Sequence, residues 1–259
     1  MKINQAFTIL QQAGGIRAAR IITENVKKLS RFNVWRMAYQ LRHGVPVAKI
    51  IGQKWFYGLK FYTNKHTLDP RPDTETLVMA VISDCNDNNP KQILDLGTGT
   101  GCIICSLVKN IPNTSGLAVD KSARALRVAK RNIKSLGLCN QIKTKHGNFN
   151  NAYLTHEKFD IIVSNPPYIA HNDMRVNDGA KHDPKIALYA EKNGLAAYES
   201  IAKNAKNWIK NNGNMYLEIG IGQEIDIKNI FTQNNWKFIR SEKDLSNTER
   251  VLIFNFGTK

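Results

Sequence analysis

With 259 residues, 42% hydrophobic and 22% charged, the chain is long enough for a full α/β core with a small extra unit beside it. No apolar run approaches the ~18 residues that span a bilayer, and Met1-Lys2-Ile3-Asn4-Gln5 lacks the pattern of a secretory leader, so a cytoplasmic protein without membrane contact is expected. The net charge of +16 is uneven: residues 1–60 hold eleven Lys or Arg and the one acid Glu24, a mild field for acidic partners rather than a dedicated nucleic-acid surface.

From residue 3 to about 43 the pattern is helical, with Ile16, Ala19, Ile22, Val26 and Leu29 at three- and four-residue spacings. Gly14-Gly15 and Asn33 read as breaks between short helices. Val34, Met37, Ala38 and Leu41 mark one face of a further helix, which Gly44 and Pro46 end. Residues 1–45 are therefore expected to form a helical domain. Residues 46–72 are expected to link the domains through a β-hairpin: Trp55-Phe56-Tyr57, a turn at Gly58-Leu59, then Lys60-Phe61-Tyr62, with Pro70 and Pro72 stiffening the exit. Asp73 is expected to cap a helix that starts at Thr74.

Residues 73–259 alternate strand and helix. Strands are expected near 93–96, 117–120, 141–145, 159–164 and 214–219, and near 236–240 and 250–256 at the end. Helices are expected over 102–109, from Ser122 to about 136, and over 193–210, with one more before the last two strands. Such alternation gives an α/β fold, a parallel-type sheet with helices on both faces.

Ile93-Leu94-Asp95-Leu96 runs into Gly97-Thr98-Gly99-Thr100-Gly101 and then a helix. Ligands bind at the carboxyl ends of strands in such sheets, and glycines there let a ligand approach the backbone. Asp120 ends the next strand, where an acid accepts hydrogen bonds from a ribose. The third glycine of a dinucleotide loop is replaced by Cys102, and no Gly-Lys-Ser/Thr follows for a triphosphate. A ligand with ribose and adenine but no phosphate fits, and S-adenosylmethionine is such a ligand; its carboxylate suits the helix N-terminus. Asn148 and Phe149 follow the third strand and are candidates for the adenine edge and face. Cys102 and Cys105 form a C-x-x-C, but they sit in an apolar helical run with no second pair at zinc spacing, so no metal is expected.

Asn165-Pro166-Pro167-Tyr168 closes the strand Ile161-Ile162-Val163. Prolines donate nothing to a sheet, so the strand ends there and displays one carboxamide, free carbonyls and a ring. An acceptor NH₂ group can donate one hydrogen to the Asn165 side-chain oxygen and the other to the Pro166 carbonyl. That holds its nitrogen in line with a methyl–sulfur bond, and alignment of this kind is worth roughly 7–11 kcal/mol at best. Tyr168 is placed to stack on a planar acceptor.

This constellation resembles the N-methyltransferases of the class I, S-adenosylmethionine-dependent type, which act on glutamine side chains or on nucleobase amino groups. Residues 46–77, 94–101, 162–169, 216–220 and 249–254 fall in order, and the Pro-Arg-Pro-Asp-Thr-Glu run at 70–75 is the specific part. They look like the peptide-chain-release-factor glutamine N5-methyltransferases, the PrmC/HemK family. The resemblance implies a small helical N-terminal domain on a Rossmann-like, seven-stranded methyltransferase domain. It implies that Gly97 to Gly101, Asp120 and Phe149 hold the cofactor, with Asn148 and Asn165 beside it, and that Asn165, Pro166, Pro167 and Tyr168 hold the substrate. The implied substrate is the glutamine of the Gly-Gly-Gln loop in class I release factors, methylated for translation termination with S-adenosylhomocysteine as product. The alternative is an RNA or DNA amino-group methyltransferase.

The chain departs from the family pattern at Asp69, where an aliphatic residue commonly precedes Pro70. It departs again at Asn148, where an acid is usual, and at Asp183, where Glu is usual. His146 reads as a surface or capping group, Glu75 and Glu218 as acids beside apolar runs, and Arg71 as an anchor of the interdomain joint.

Overall fold

The first helix, α1 (Ile3–Asn25), is bent at Gly15, whose φ of 83° is open to glycine at no steric cost. The computed structural model describes residues 1–85, 89–151, 154–173 and 181–257. A second helix, α2 (Arg31–Arg42), begins where the Ser30 hydroxyl accepts the Asn33 backbone N–H. Asn33 therefore lies inside α2, and the expected break falls before Ser30, at 26–30; the cap beats the local propensity of one Asn. A third helix, α3 (Val47–Ile51), has no signature in the sequence, because five residues give too little periodicity to read. Ala6, Leu10, Ile22, Val34 and Met37 form the core of this region, with Val47, Ile50 and Ile51 of α3 packed on it.

The hairpin β1 (Gln53–Phe56) and β2 (Leu59–Tyr62) turns through Tyr57 and Gly58, both at positive φ. Its inward residues Phe56 and Phe61 enter the core of the larger unit. Asp73 does not cap the next helix. It lies in a 3₁₀ turn (Pro72–Thr74) that leads directly into α4 (Glu75–Asp84). The Glu75 carboxylate instead reaches back and accepts the Tyr57 N–H of the hairpin turn at 2.8 Å.

The large sheet has seven strands. They are β3 (Lys91–Leu96), β4 (Thr114–Asp120), β5 (Ile142–His146), β6 (Phe159–Ser164), β9 (Ile209–Glu218), β10 (Lys237–Lys243) and β11 (Glu249–Phe256). Their spatial order is β10-β11-β9-β6-β3-β4-β5, parallel except where β11 runs antiparallel to both neighbours. Alternate residues feed two cores. Ile161, Val163, Tyr216, Val251 and Ile253 face one. Leu94, Ile162, Met215, Leu217 and Phe254 face the other. Helix α4, α5 (Cys102–Asn110) and α6 (Ala123–Ser135) cover the first face; α7 (Ala196–Asn204) and α8 (Glu224–Gln233) cover the second. Two further short strands, β7 (Ile169–Ala170) and β8 (Tyr189–Ala190), pair in parallel above the sheet. No described helix is long and apolar enough to cross a membrane.

The helix expected over 193–210 ends early, at Asn204 plus one 3₁₀ turn. Trp208 is fully buried, and Ile209 already pairs with Phe159 in the sheet. Asn212 at positive φ and Gly213 then interrupt that register, so the strand reads as broken in sequence although it is continuous in space.

The chain leaves β3 toward β4 on one side, and β6 flanks β3 on the other. This is the point where strand order reverses, and an open α/β sheet binds ligands there, outside the carboxyl ends of its strands.

Candidate active site

At that reversal lies a cavity of about 400 Å³. Its floor is the glycine loop, where Gly97, Gly99 and Gly101 all have positive φ. The Gly97 and Thr98 amides donate to the Val119 carbonyl, each at 2.9 Å, which ties the loop to β4. A Cβ on Gly97 would meet no atom within 4 Å and would project into open space, so the glycine serves the backbone conformation and ligand access rather than packing. Gly97, Thr98, Gly99 and Thr100 line the cavity; Gly101 does not, because it is the residue before α5 and faces Ala129 and Cys105.

Asp120 lines the same cavity. One of its oxygens accepts the Gly99 N–H at 2.9 Å and the other accepts the Ser122 N–H at 2.8 Å. Burial raises its pKa, and the two backbone donors oppose that. Below it, Asp95 is fully buried and accepts the Thr98 hydroxyl at 2.6 Å, while its second oxygen has no hydrogen-bond partner among the described residues. Burial pushes its carboxyl up to about 7. A carboxylate at the end of β4, a loop of exposed backbone and a cavity of this size together fit a nucleoside carrying an amino-acid tail.

Phe149 packs its body on the sheet core, lines the cavity, and gives its carbonyl to the Asn204 amide at 2.9 Å. Asn148 also lines the cavity, with its side-chain oxygen turned back to the Asn150 N–H at 3.1 Å. His146 is bonded to the Lys121 carbonyl, a local tie at the end of β5.

Asn165 and Pro167 line the cavity from the end of β6; Pro166 and Tyr168 do not. Pro166 is buried. Tyr168 packs partly buried against the core behind the turn, and burial raises its phenol pKa well above the usual value. The turn is held on three sides. Ser164 donates to the Leu96 carbonyl at 2.7 Å, Ile169 N donates to the Leu188 carbonyl at 2.9 Å, and the Gln223 amide donates to the Tyr168 carbonyl at 3.0 Å. The Asn165 amide NH₂ donates to the Thr74 hydroxyl at 3.2 Å, which leaves the side-chain oxygen without a hydrogen-bond partner among the described residues.

Three structural residues near the site left no signal in the sequence. Asn132 is buried in α6 and bonds both ways to the Tyr62 backbone, at 2.8 and 2.9 Å, and also donates to the Thr100 carbonyl at 2.8 Å. It thereby fastens the hairpin to the glycine loop. Gln223 clamps the Asn-Pro-Pro-Tyr turn as above. Lys49 of α3 sits between Asp69 at 2.8 Å and Asp183 at 2.9 Å, and Asp183 also takes Arg71 at 2.7 Å. Lys49, Asp69 and Asp183 are nearly inaccessible to solvent. Two of the departures from the family pattern, Asp69 and Asp183, thus share one cation. Arg71 meets Asp183 at the joint and also lines the cavity.

Cys102 and Cys105 are free and buried, and burial pushes the Cys102 thiol up to about 12 and that of Cys105 higher still. Neither supplies a thiolate near neutral pH.

The Methyltransferase small domain family matches residues 71–182, from the Pro-Arg-Pro segment through the turn after β6. A release factor glutamine methyltransferase of Enterococcus faecalis is 39% identical over 217 residues, covering 83% of this chain and 77% of that protein. The chain belongs to the release factor glutamine methyltransferase family. A bifunctional methyltransferase of Rickettsia prowazekii is 40% identical over 80% of this chain but only 44% of its own length. The chain therefore spans about half the length of the bifunctional relatives that it matches. A methyltransferase from Pyrococcus furiosus shares the fold, with TM-score 0.58 and 17% identity over 86% of this chain and 98% of that one.

Proposed function

We propose that the chain transfers a methyl group from S-adenosylmethionine to the side-chain amide nitrogen of the glutamine in the Gly-Gly-Gln loop of class I release factors, in the cytoplasm and in support of translation termination. One observation carries the reading: Asn165 opens on the same cavity as the glycine loop and Asp120, with its NH₂ already engaged and its oxygen left over.

S-adenosylmethionine, when bound, supplies an electrophilic methyl carbon. Asp120 is placed to accept hydrogen bonds from ribose hydroxyls, and the backbone of Gly97 to Thr100 is placed to take the charged tail. Phe149 offers a ring to the base. The Asn165 oxygen accepts one N–H of an incoming carboxamide, and the Pro166 carbonyl, which does not line the cavity in this structure, takes the other only once the turn shifts around the acceptor. The amide lone pair is weak, so this pair of acceptors does two things. It aims the nitrogen, and it stabilises the positive charge that grows there. The amide N–H becomes acidic as the nitrogen is alkylated, so no strong base is required. Ile186, Ala187, Tyr189, Ala190, Glu191 and Arg71 also line the cavity.

A nucleobase amino group is the second reading. It is favoured by Phe32, Trp35 and Tyr39, which stand exposed on α2 beside Arg31 and Arg36, in a segment with a single acid. The separating experiment supplies labelled methyl donor with purified release factor, bulk RNA and DNA. Label in the release-factor glutamine supports the first reading; label in nucleic acid alone rejects it. Asn165→Ala is expected to keep cofactor affinity and lower turnover at least about a hundredfold, as loss of one transition-state hydrogen-bonding group does elsewhere.

A further inference from the structure

A carboxamide is nearly symmetric in shape, so Asn165 is able to present either end to the cavity. Only its oxygen end accepts an N–H; the NH₂ end repels an NH₂ acceptor. Something else must choose the end. Thr74, in the 3₁₀ turn before α4, accepts the Asn165 NH₂ at 3.2 Å. The buried Glu218 carboxylate, at the end of β9, lies close to the Thr74 hydroxyl and the Asn165 amide, which both favour its ionised form. Thr74 is 2% exposed and Glu218 1%, so water does not substitute for either. We propose that Thr74 and Glu218 are positioning residues, which fix the orientation of the Asn165 carboxamide and so commit the site to acceptors that bear N–H.

The direction follows from donor and acceptor counting. An ionised carboxylate only accepts. The Thr74 proton therefore goes to Glu218, and the Thr74 lone pair is left for the Asn165 NH₂. The chain of bonds runs one way, and the Asn165 oxygen is turned to the cavity. A protonated Glu218 is itself a donor and relaxes the constraint. One Glu218 oxygen has no hydrogen-bond partner among the described residues. Arg250 of β11, Asp73 of the 3₁₀ turn, Tyr168, Tyr198 of α7 and Cys102 of α5 are the charged and titratable groups that face it. Burial, ahead of these neighbours, lifts its carboxyl to about 7.

The inference rests on the proposed amide or amino acceptor, and the experiment separates the two. Methyl transfer to release factor is measured from about pH 5.5 to 8.5 for wild type, Thr74→Val, Thr74→Ser and Glu218→Gln, together with cofactor affinity. Wild-type kcat is expected to rise with pH through about 7. Thr74→Val is expected to lower kcat at least about tenfold at unchanged cofactor Kd, Thr74→Ser to retain most of it, and Glu218→Gln to flatten the pH profile. Wild-type turnover in Thr74→Val, or an unchanged pH profile in Glu218→Gln, overturns the proposal. If wild type labels only nucleic acid, the release-factor reading fails and the same comparison is made on that acceptor. If it labels nothing, hydrogen exchange at the Asn165 side-chain NH₂ decides: slow in wild type and fast in Thr74→Val supports the role, and equal rates overturn it.

Discussion

Lys49 is the most exposed test of how the helical region is joined to the site. Its ammonium lies 2.8 Å from Asp69 and 2.9 Å from Asp183, and also donates to the Asn64 carbonyl at 2.8 Å and to the Thr67 carbonyl. At an effective dielectric of 20, each ion pair attracts by about 6 kcal/mol gross, and desolvation of the three ions cancels much of that. Truncation behaves differently from the net worth of the pairs, because it takes the shared cation away from two buried carboxylates and strands one of them. Arg71 still neutralises Asp183, but among the described residues Asp69 keeps only the Thr63 hydroxyl. Lys49→Met is therefore expected to cost about 3–5 kcal/mol, read from urea denaturation followed by tryptophan fluorescence. The double variant Lys49→Met, Asp69→Leu removes the stranded charge as well, and should recover about 2 kcal/mol or more of that loss. A single-variant loss below about 1 kcal/mol, or losses that simply add in the double variant, would show that the node is solvated and refute the reasoning.

Asp120→Ala removes charge-assisted acceptors worth about 1.5–3 kcal/mol and should weaken S-adenosylmethionine binding roughly ten- to hundredfold by calorimetry; unchanged affinity would remove Asp120 from the cofactor site. Gly194 has φ +88°, and a Cβ there would stand 2.1 Å from the Tyr168 carbonyl oxygen. Gly194→Ala should displace the Asn-Pro-Pro-Tyr turn, lowering turnover more than cofactor affinity; equal effects on both would argue for a general loss of structure. The folded-state pKa of Asp95 is raised from 3.8 to about 7, so its contribution to stability is full below about pH 4, is lost as pH rises toward 7, and is flat above. Asp95→Asn lacks that titration and should gain stability relative to wild type between about pH 4 and 7 in denaturation curves; a constant difference across that range would place the Asp95 pKa near normal.

The alternation of strand and helix, the glycine loop and the Asn-Pro-Pro-Tyr turn were all legible, because each is a local pattern. Period, glycine and proline act on the backbone within a few residues. The misreadings were at boundaries. Asn33 reads as a break because the Ser30 cap that keeps it helical is a local but weak signal, and Asp73 reads as a cap although the chain enters α4 through a 3₁₀ turn. The overlong helix after residue 193 came from an apolar run whose last members, Trp208 and Ile209, belong to the sheet side of the core.

Sequence by itself determined the fold class, the glycine loop and the Asn-Pro-Pro-Tyr turn, since those depend on residues adjacent in the chain. Tertiary structure alone decided how these parts face one another. Lys49 meets Asp183, Asn132 meets Tyr62 and Thr100, and Thr74 meets Asn165 across 91 positions. A single polar side chain that bonds to a distant partner has no period and leaves no local trace. Its meaning appears only when burial removes water and makes that one partner the remaining place for its hydrogen bonds.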